Sequence, residues 1–120
     1  MFSSRSIFGM LAILETASLI YFSIVPSSTI PTTGNPSTAE LETTAMHFAA
    51  YLIYGMLLQK SLLNSKKAIL AAAFLGVLTE IIQIFAPTRS FSATDIAADI
   101  SGAAVGIAAI MLFTKRIPSA

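Results

Sequence analysis

Apolar residues run through this chain in long blocks, not in short alternating stretches. Four blocks stand out: residues 7–25, 46–63, 68–86 and 93–113. Each approaches the roughly 20 mostly apolar residues that a membrane-spanning helix needs. The polar interruptions are few: Glu15 in the first, His47, Gln59 and Lys60 in the second, Glu80 and Gln83 in the third, Asp95 and Asp99 in the fourth. Amphipathic helices of a soluble protein would carry charge along one whole face, yet residues 68–79 carry none. Residues 26–45, rich in Ser, Thr, Pro and Gly, read as a loop. Asn64-Ser65 ahead of Lys66-Lys67 reads as a cap and tight turn, and residues 87–90 as a second short turn. The pattern predicts one all-α domain: an integral membrane bundle of about four transmembrane helices. The fourth block's polar start, residues 90–95, suits either a single helix or a re-entrant piece followed by one.

Composition sharpens the class. Charged residues make up 11% of the 120 positions and hydrophobic residues 55%, with mean hydropathy +0.79. Soluble domains average about 25% charged residues, so this is neither an ordinary globule nor a disordered chain. There is no cysteine, which excludes disulfides, thiolate metal sites and cysteine nucleophiles. A net charge of +1 is too balanced for a nucleic-acid binder. The first apolar stretch exceeds a leader's usual 7–15 residue core and no A-x-A site follows it. It therefore reads as a retained helix. Asn35-Pro36-Ser37 is no glycosylation acceptor, because proline fills its middle position.

Charge placement predicts the topology. Arg5, Lys60, Lys66, Lys67, Lys115 and Arg116 fall at one end of the bundle, and Arg89 alone at the other. The positive-inside rule then puts both termini in the cytoplasm of a multi-pass cell-membrane protein. In that arrangement His47, Tyr51, Glu80, Gln83, Asp95 and Asp99 all occupy the outer half. Glu80 and Asp99 sit about 10 Å below the helix ends, at 1.5 Å per residue.

Helical spacing groups these side chains by face. His47, Tyr51 and Tyr54 share a stripe, as do Gly76, Glu80 and Gln83, and Asp95, Asp99, Gly102 and Gly106. Ionisable groups persist in a membrane where they pair, face a cavity or do chemistry. The set therefore predicts an outward-opening polar pocket, with the glycines as packing points.

These residues also resemble the VanZ-like membrane proteins, a family linked to teicoplanin resistance. His47, Phe48, Tyr51 and Gly55 resemble the family's H-F-x-x-Y-x-x-x-G. Gly76, Glu80 and Gln83, followed by Arg89, resemble G-x-x-x-E-x-x-Q and the family arginine. Asp95, Asp99, Gly102 and Gly106 resemble D-x-x-x-N-x-x-G-x-x-x-G, with Asp99 where the family usually has asparagine. The resemblance spans roughly residues 46–106 and implies a multi-pass membrane protein of the cell envelope, with no settled chemical activity.

Each candidate has a plain and a sharp reading. His47 is either an interfacial helix-start residue or a general acid/base. Glu80 and Gln83 are either an interhelical clamp or, for Glu80, a general base or metal ligand. Asp95 either complements its helix dipole or pairs with His47 or Arg89. Arg89 either snorkels to headgroups or holds a phosphate. Glu15 reads as structural. The leading assignment makes His47, Glu80 and Asp95 catalytic, and Tyr51, Gln83, Arg89 and Asp99 substrate-binding. No metal is assigned, since Asp95 and Asp99 at i, i+4 are weak evidence for a shared cation, and no cofactor is identifiable. The expected partner is a membrane lipid or lipid-linked envelope molecule, with no nucleic acid and an oligomer open. The rivals are a non-enzymatic lipid or drug binder, which would use the same pocket without turnover, and a transporter.

Overall fold

Ser3 opens the first helix by accepting the Ser6 amide on its hydroxyl at 3.2 Å, and α1 runs Ser4–Ile24. It is followed by α2 (Ala39–Leu62), α3 (Ser65–Ile84) and α4 (Ala93–Arg116). The structure is a computed structural model and describes residues 3–25, 33–35, 37–86 and 92–116, with side chains as far as Thr114. The fold is all-α. Its helices, 20 to 24 residues long, match a hydrocarbon core of about 30 Å at 1.5 Å per residue. The bundle measures 51 × 27 × 23 Å.

The α2–α3 turn follows the local chemistry of its residues. Leu63 adopts the left-handed region (φ 55°) and donates its amide to the Gln59 carbonyl at 2.9 Å. The Asn64 side chain then accepts the Lys67 amide at 3.0 Å, which caps α3.

α2 starts at Ala39, well inside the stretch that reads as loop in the sequence. Glu40 and Glu42 in its first turn complement the helix dipole. Glu42 also ties the preceding strap down, accepting from the Thr33 amide at 2.8 Å and from the Thr33 and Thr38 hydroxyls at 3.0 Å each. α4 is one continuous helix from Ala93 onward, and residues 90 and 91, where the re-entrant alternative begins, lie outside the described residues.

Three of the described helices, α1, α3 and α4, are long and apolar enough to cross a membrane. α2 matches them in length but is more polar, carrying Glu40, Glu42, His47, Gln59 and Lys60. Four of these five lie in its first and last turns, and the fifth, His47, turns toward α4. Like α3, α2 packs against all three other helices, most extensively against α4.

The α2–α4 pairing is the most extensive in the bundle. These two helices run parallel: Phe48 meets Gly102 and Leu52 meets Gly106. A Cβ on Gly102 would overlap the Phe48 carbonyl oxygen, and one on Gly106 the Leu52 carbonyl oxygen. In return, Gly55 of α2 lies against the Ala103 backbone. Glycine is therefore required on both sides of this seam. α1 runs antiparallel to α2, since Arg5 meets Ser61 and Thr16 meets Tyr54, and α3 runs antiparallel to α4, since Gly76 meets Asp99 and Glu80 meets Ser92. The core is built from Tyr51, Tyr54 and Leu58 of α2, Ala68, Ala72 and Leu75 of α3, and Ala103 and Ile107 of α4.

α1 is held more lightly. It buries only Ala12 and Ser23 and leaves large apolar side chains such as Ile13, Leu14 and Phe22 exposed, as a helix facing lipid would. Polar links fasten it. Arg5 Nε donates to the Ser61 carbonyl at 2.6 Å. The Thr16 hydroxyl donates to the Ala12 carbonyl, so the Tyr54 hydroxyl donates to Thr16 at 2.8 Å.

Candidate functional site

The glycine seam sets the site. His47 precedes Phe48, which rests on Gly102, and Asp99 lies three residues before Gly102 on the same face of α4. Backbone contact at Gly102 therefore brings the two side chains together. His47 Nδ1 lies 2.7 Å from Asp99 Oδ1. Asp99 is fully buried, with its Cβ and Oδ2 against Gly76 of α3, where a methyl group would crowd both at 3.2 Å.

The other imidazole nitrogen faces Asp95, with His47 Nε2 at 3.7 Å from Asp95 Oδ2. The two aspartates predicted to share one face thus flank a single ring, one at each nitrogen. Asp95 Oδ1 receives the Thr44 hydroxyl at 3.4 Å, and the Asp95 amide donates to the Ser92 hydroxyl at 3.2 Å. The Ser92 amide in turn donates to Glu80 Oε2 at 2.9 Å. Ser92 therefore caps α4 with its hydroxyl and fastens α3 with its amide. Glu80 is fully buried, and one donor atom from each of His47, Glu80 and Asp95 lies within 4.8 Å of the others.

On its opposite side His47 borders a half-open cavity of about 410 Å³ lined by α1, α2 and α3. Its walls are mainly apolar, with Leu19, Phe22, Met46 and Ala50 among them. His47, Tyr51, Thr79 and Gln83 add polar groups, and so does Glu15 from α1. Tyr51 packs edge-on to Tyr54, with ring centroids 5.8 Å apart.

The single predicted pocket is thus two adjoining compartments. His47, Tyr51 and Gln83 line the cavity, while Glu80, Asp95 and Asp99 sit in an enclosed carboxylate cluster. His47 belongs to both. The assignment made for Arg89 lies outside the described residues.

The profile of the VanZ/LLP1 family matches residues 2–114 of the chain. This chain belongs to the VanZ/LLP1 family. The match extends past the three motifs to α1 and to the greater part of α4, so the whole bundle is the family unit. Neither the curated proteins nor the solved structures yield a match. For this VanZ/LLP1 protein, family and helical membrane character stand together, since α1, α3 and α4 qualify as spans.

Sequence reasoning missed three participants. Ser92 was legible as a cap, because Ser92-Ala93-Thr94-Asp95 ahead of an apolar run is a helix-start signature. Glu15 was marked by being the lone charge in the first apolar block, and the structure sets it in the cavity wall. Thr44 had no signal beyond lying three residues ahead of His47 on the same face.

Proposed function

We propose that this VanZ/LLP1 protein engages an amphiphilic component of the cell envelope, lipid-linked or phosphorylated, in the outer half of the membrane. The observation that carries the reading is the position of His47 between an apolar-walled cavity and a buried carboxylate cluster. The cavity suits the apolar part of such a molecule. His47, steered by Asp99, with Glu80 and Asp95 beside it, supplies proton transfer at its polar end. Glycopeptide resistance, teicoplanin in particular, is the phenotype this activity would produce.

The second reading is a lipid or drug binder without turnover. It is favoured by the absence of a nucleophile paired with His47 among the described residues. Ser92 Oγ accepts the Asp95 amide, and Ser23 Oγ donates to the Ile20 carbonyl at 2.6 Å.

Mass spectrometry of membrane lipids and lipid-linked precursors separates the two. Cells carrying no protein, wild type or Glu80→Gln are compared at matched expression. A species gained or depleted with wild type and restored in the variant identifies an enzyme and its substrate class. An unchanged profile, with one lipid co-purifying with both proteins, identifies a binder.

The reading also requires cytoplasmic termini. The chain holds no cysteine, so Ser37→Cys and Asn64→Cys each provide a unique label. A membrane-impermeant maleimide applied to intact cells should modify the first and spare the second. The reverse result inverts the topology and sinks the outer-surface assignment.

A further inference from the structure

The carboxylate cluster holds more order than proton transfer needs. His47, Glu80 and Asp95 come from three different helices, yet each offers a donor atom within 4.8 Å of the others. His47 Nε2 and Asp95 Oδ2 are 3.7 Å apart, beyond hydrogen-bond range. That is close to the spacing of two ligands about a cation with bonds of about 2.0–2.2 Å. Asp99 Oδ1 stands 2.7 Å from the other ring nitrogen. A proton held there leaves the Nε2 lone pair directed at the cluster, the arrangement in which a carboxylate behind a histidine orients it toward a metal. The carboxylates are themselves steered, Glu80 by the Ser92 amide at 2.9 Å and Asp95 by the Thr44 hydroxyl at 3.4 Å.

We propose that His47, Glu80 and Asp95 bind a divalent cation of the zinc or manganese type, with Asp99 as the residue that positions His47. One imidazole and two carboxylates form a mixed donor set, which favours these ions over magnesium with its preference for oxygen alone. Three protein ligands leave a further coordination position for water or an anionic group of a ligand. The steric seat of Asp99 on Gly76 and the backbone seam at Gly102 fix Asp99 relative to His47.

The chain contains a single histidine, which makes the test direct. The full chain, carrying no histidine tag, is purified in detergent without added lipid and loaded with Mn²⁺. Pulsed electron paramagnetic resonance should show the nitrogen coupling of one coordinated imidazole, in wild type and with no variant needed. Zn²⁺ should displace the Mn²⁺ at one ion per chain, and Mg²⁺ in equal amount should not. Asp95→Asn and His47→Ala should each weaken Mn²⁺ binding at least tenfold, while Glu40→Gln, an exposed carboxylate on the first turn of α2, leaves it unchanged. Asp99→Leu should weaken binding about 10–100-fold, and Asp99→Asn, which still accepts from the imidazole, should restore most of it. Bound Mn²⁺ without nitrogen coupling overturns the proposal, as does no binding at millimolar Mn²⁺ or binding that survives His47→Ala. No lipid or lipid-linked molecule is added to the experiment, so its failure leaves the lipid reading standing, and an unchanged lipid profile leaves the cation site standing.

Discussion

On one side of α2, the Leu52 backbone rests directly on Gly106 of α4. On its other side, α1 leaves a cavity of about 410 Å³ against the same helix. The first contact has no room for a methyl group, whereas the second has room for a ligand. Both follow from residue size: Gly55, Gly102 and Gly106 let α2 and α4 close backbone to backbone, while α1 meets α2 through larger side chains and isolated polar links. The difference matters for the site, because His47 sits at the junction. The rigid side fixes its ring against Asp99, and the loose side leaves it facing an open cavity. A packed core behind and an open compartment in front is the arrangement by which a site is held to useful precision.

The sharpest way to break the comparison is to overfill the rigid side. Gly106→Leu places side-chain atoms inside the Leu52 carbonyl. No rotamer avoids a clash that begins at Cβ, so the folded bundle should be lost. On the loose side, Gly9→Ala meets only the Ser61 hydroxyl, at 3.0 Å, a side chain able to turn away, and should cost about 1 kcal/mol or less. Unfolding in mixed micelles measures both. Equal destabilisation would mean that the two sides do not differ in rigidity.

The next effect tests what the rigid side holds. His47→Leu leaves Asp99 fully buried without its imidazole partner. Breaking a buried pair in this way costs about 3 kcal/mol. Adding Asp99→Leu to that variant removes the stranded carboxylate, and the double variant should recover most of the loss. A double variant no more stable than His47→Leu alone would show that the pair contributes nothing beyond its separate packing.

The legibility of the site divides along the same line. Helical spacing was enough to place Tyr51, Tyr54, Gly76, Glu80, Gln83, Asp95, Asp99, Gly102 and Gly106 on inward faces, and all nine are buried. Spacing within one helix could not show how faces meet. That Asp95 and Asp99 take opposite nitrogens of one ring depends on the axial offset of α2 against α4, which Gly102 and Gly106 set through space. The split into cavity and cluster was hidden for the same reason. So was the early start of α2: Ala39-Glu40-Leu41-Glu42 are helix formers obscured by their Ser/Thr-rich neighbours, and Glu42 is anchored by Thr33, nine residues upstream.

A smaller effect probes how α1 is fastened over the cavity. Tyr54→Phe deletes the 2.8 Å bond to Thr16 while keeping the ring packed beside Tyr51. The expected loss is about 1 kcal/mol. Hydrogen exchange should quicken in α1 and stay unchanged in α4. Faster exchange in α4 as well would mean that the two sides of α2 are coupled, and that α1 cannot move independently of the seam.

The smallest effect lies at the entrance to α2, outside the apolar span. Glu42 accepts from the Thr33 amide, and this bond does most to hold its carboxyl below the ordinary carboxylate range. Desolvation by the strap opposes the shift, and the Thr33 and Thr38 hydroxyls add to it. A group with a depressed folded-state value binds its proton more readily when the contact is broken. Its stabilisation is therefore complete above the unfolded carboxylate value and fades as pH falls through the lower folded value. Acidification should loosen the first turn of α2 and the strap at Thr33 while leaving the seam intact. The Thr33 amide resonance followed from neutral pH downward reports this directly. It should move with a midpoint below the ordinary carboxylate range, and Glu42→Gln should abolish that titration. A midpoint at or above the ordinary range would mean that the strap is not held by the carboxylate, and that α2 begins at Ala39 on helix propensity and dipole complementarity alone.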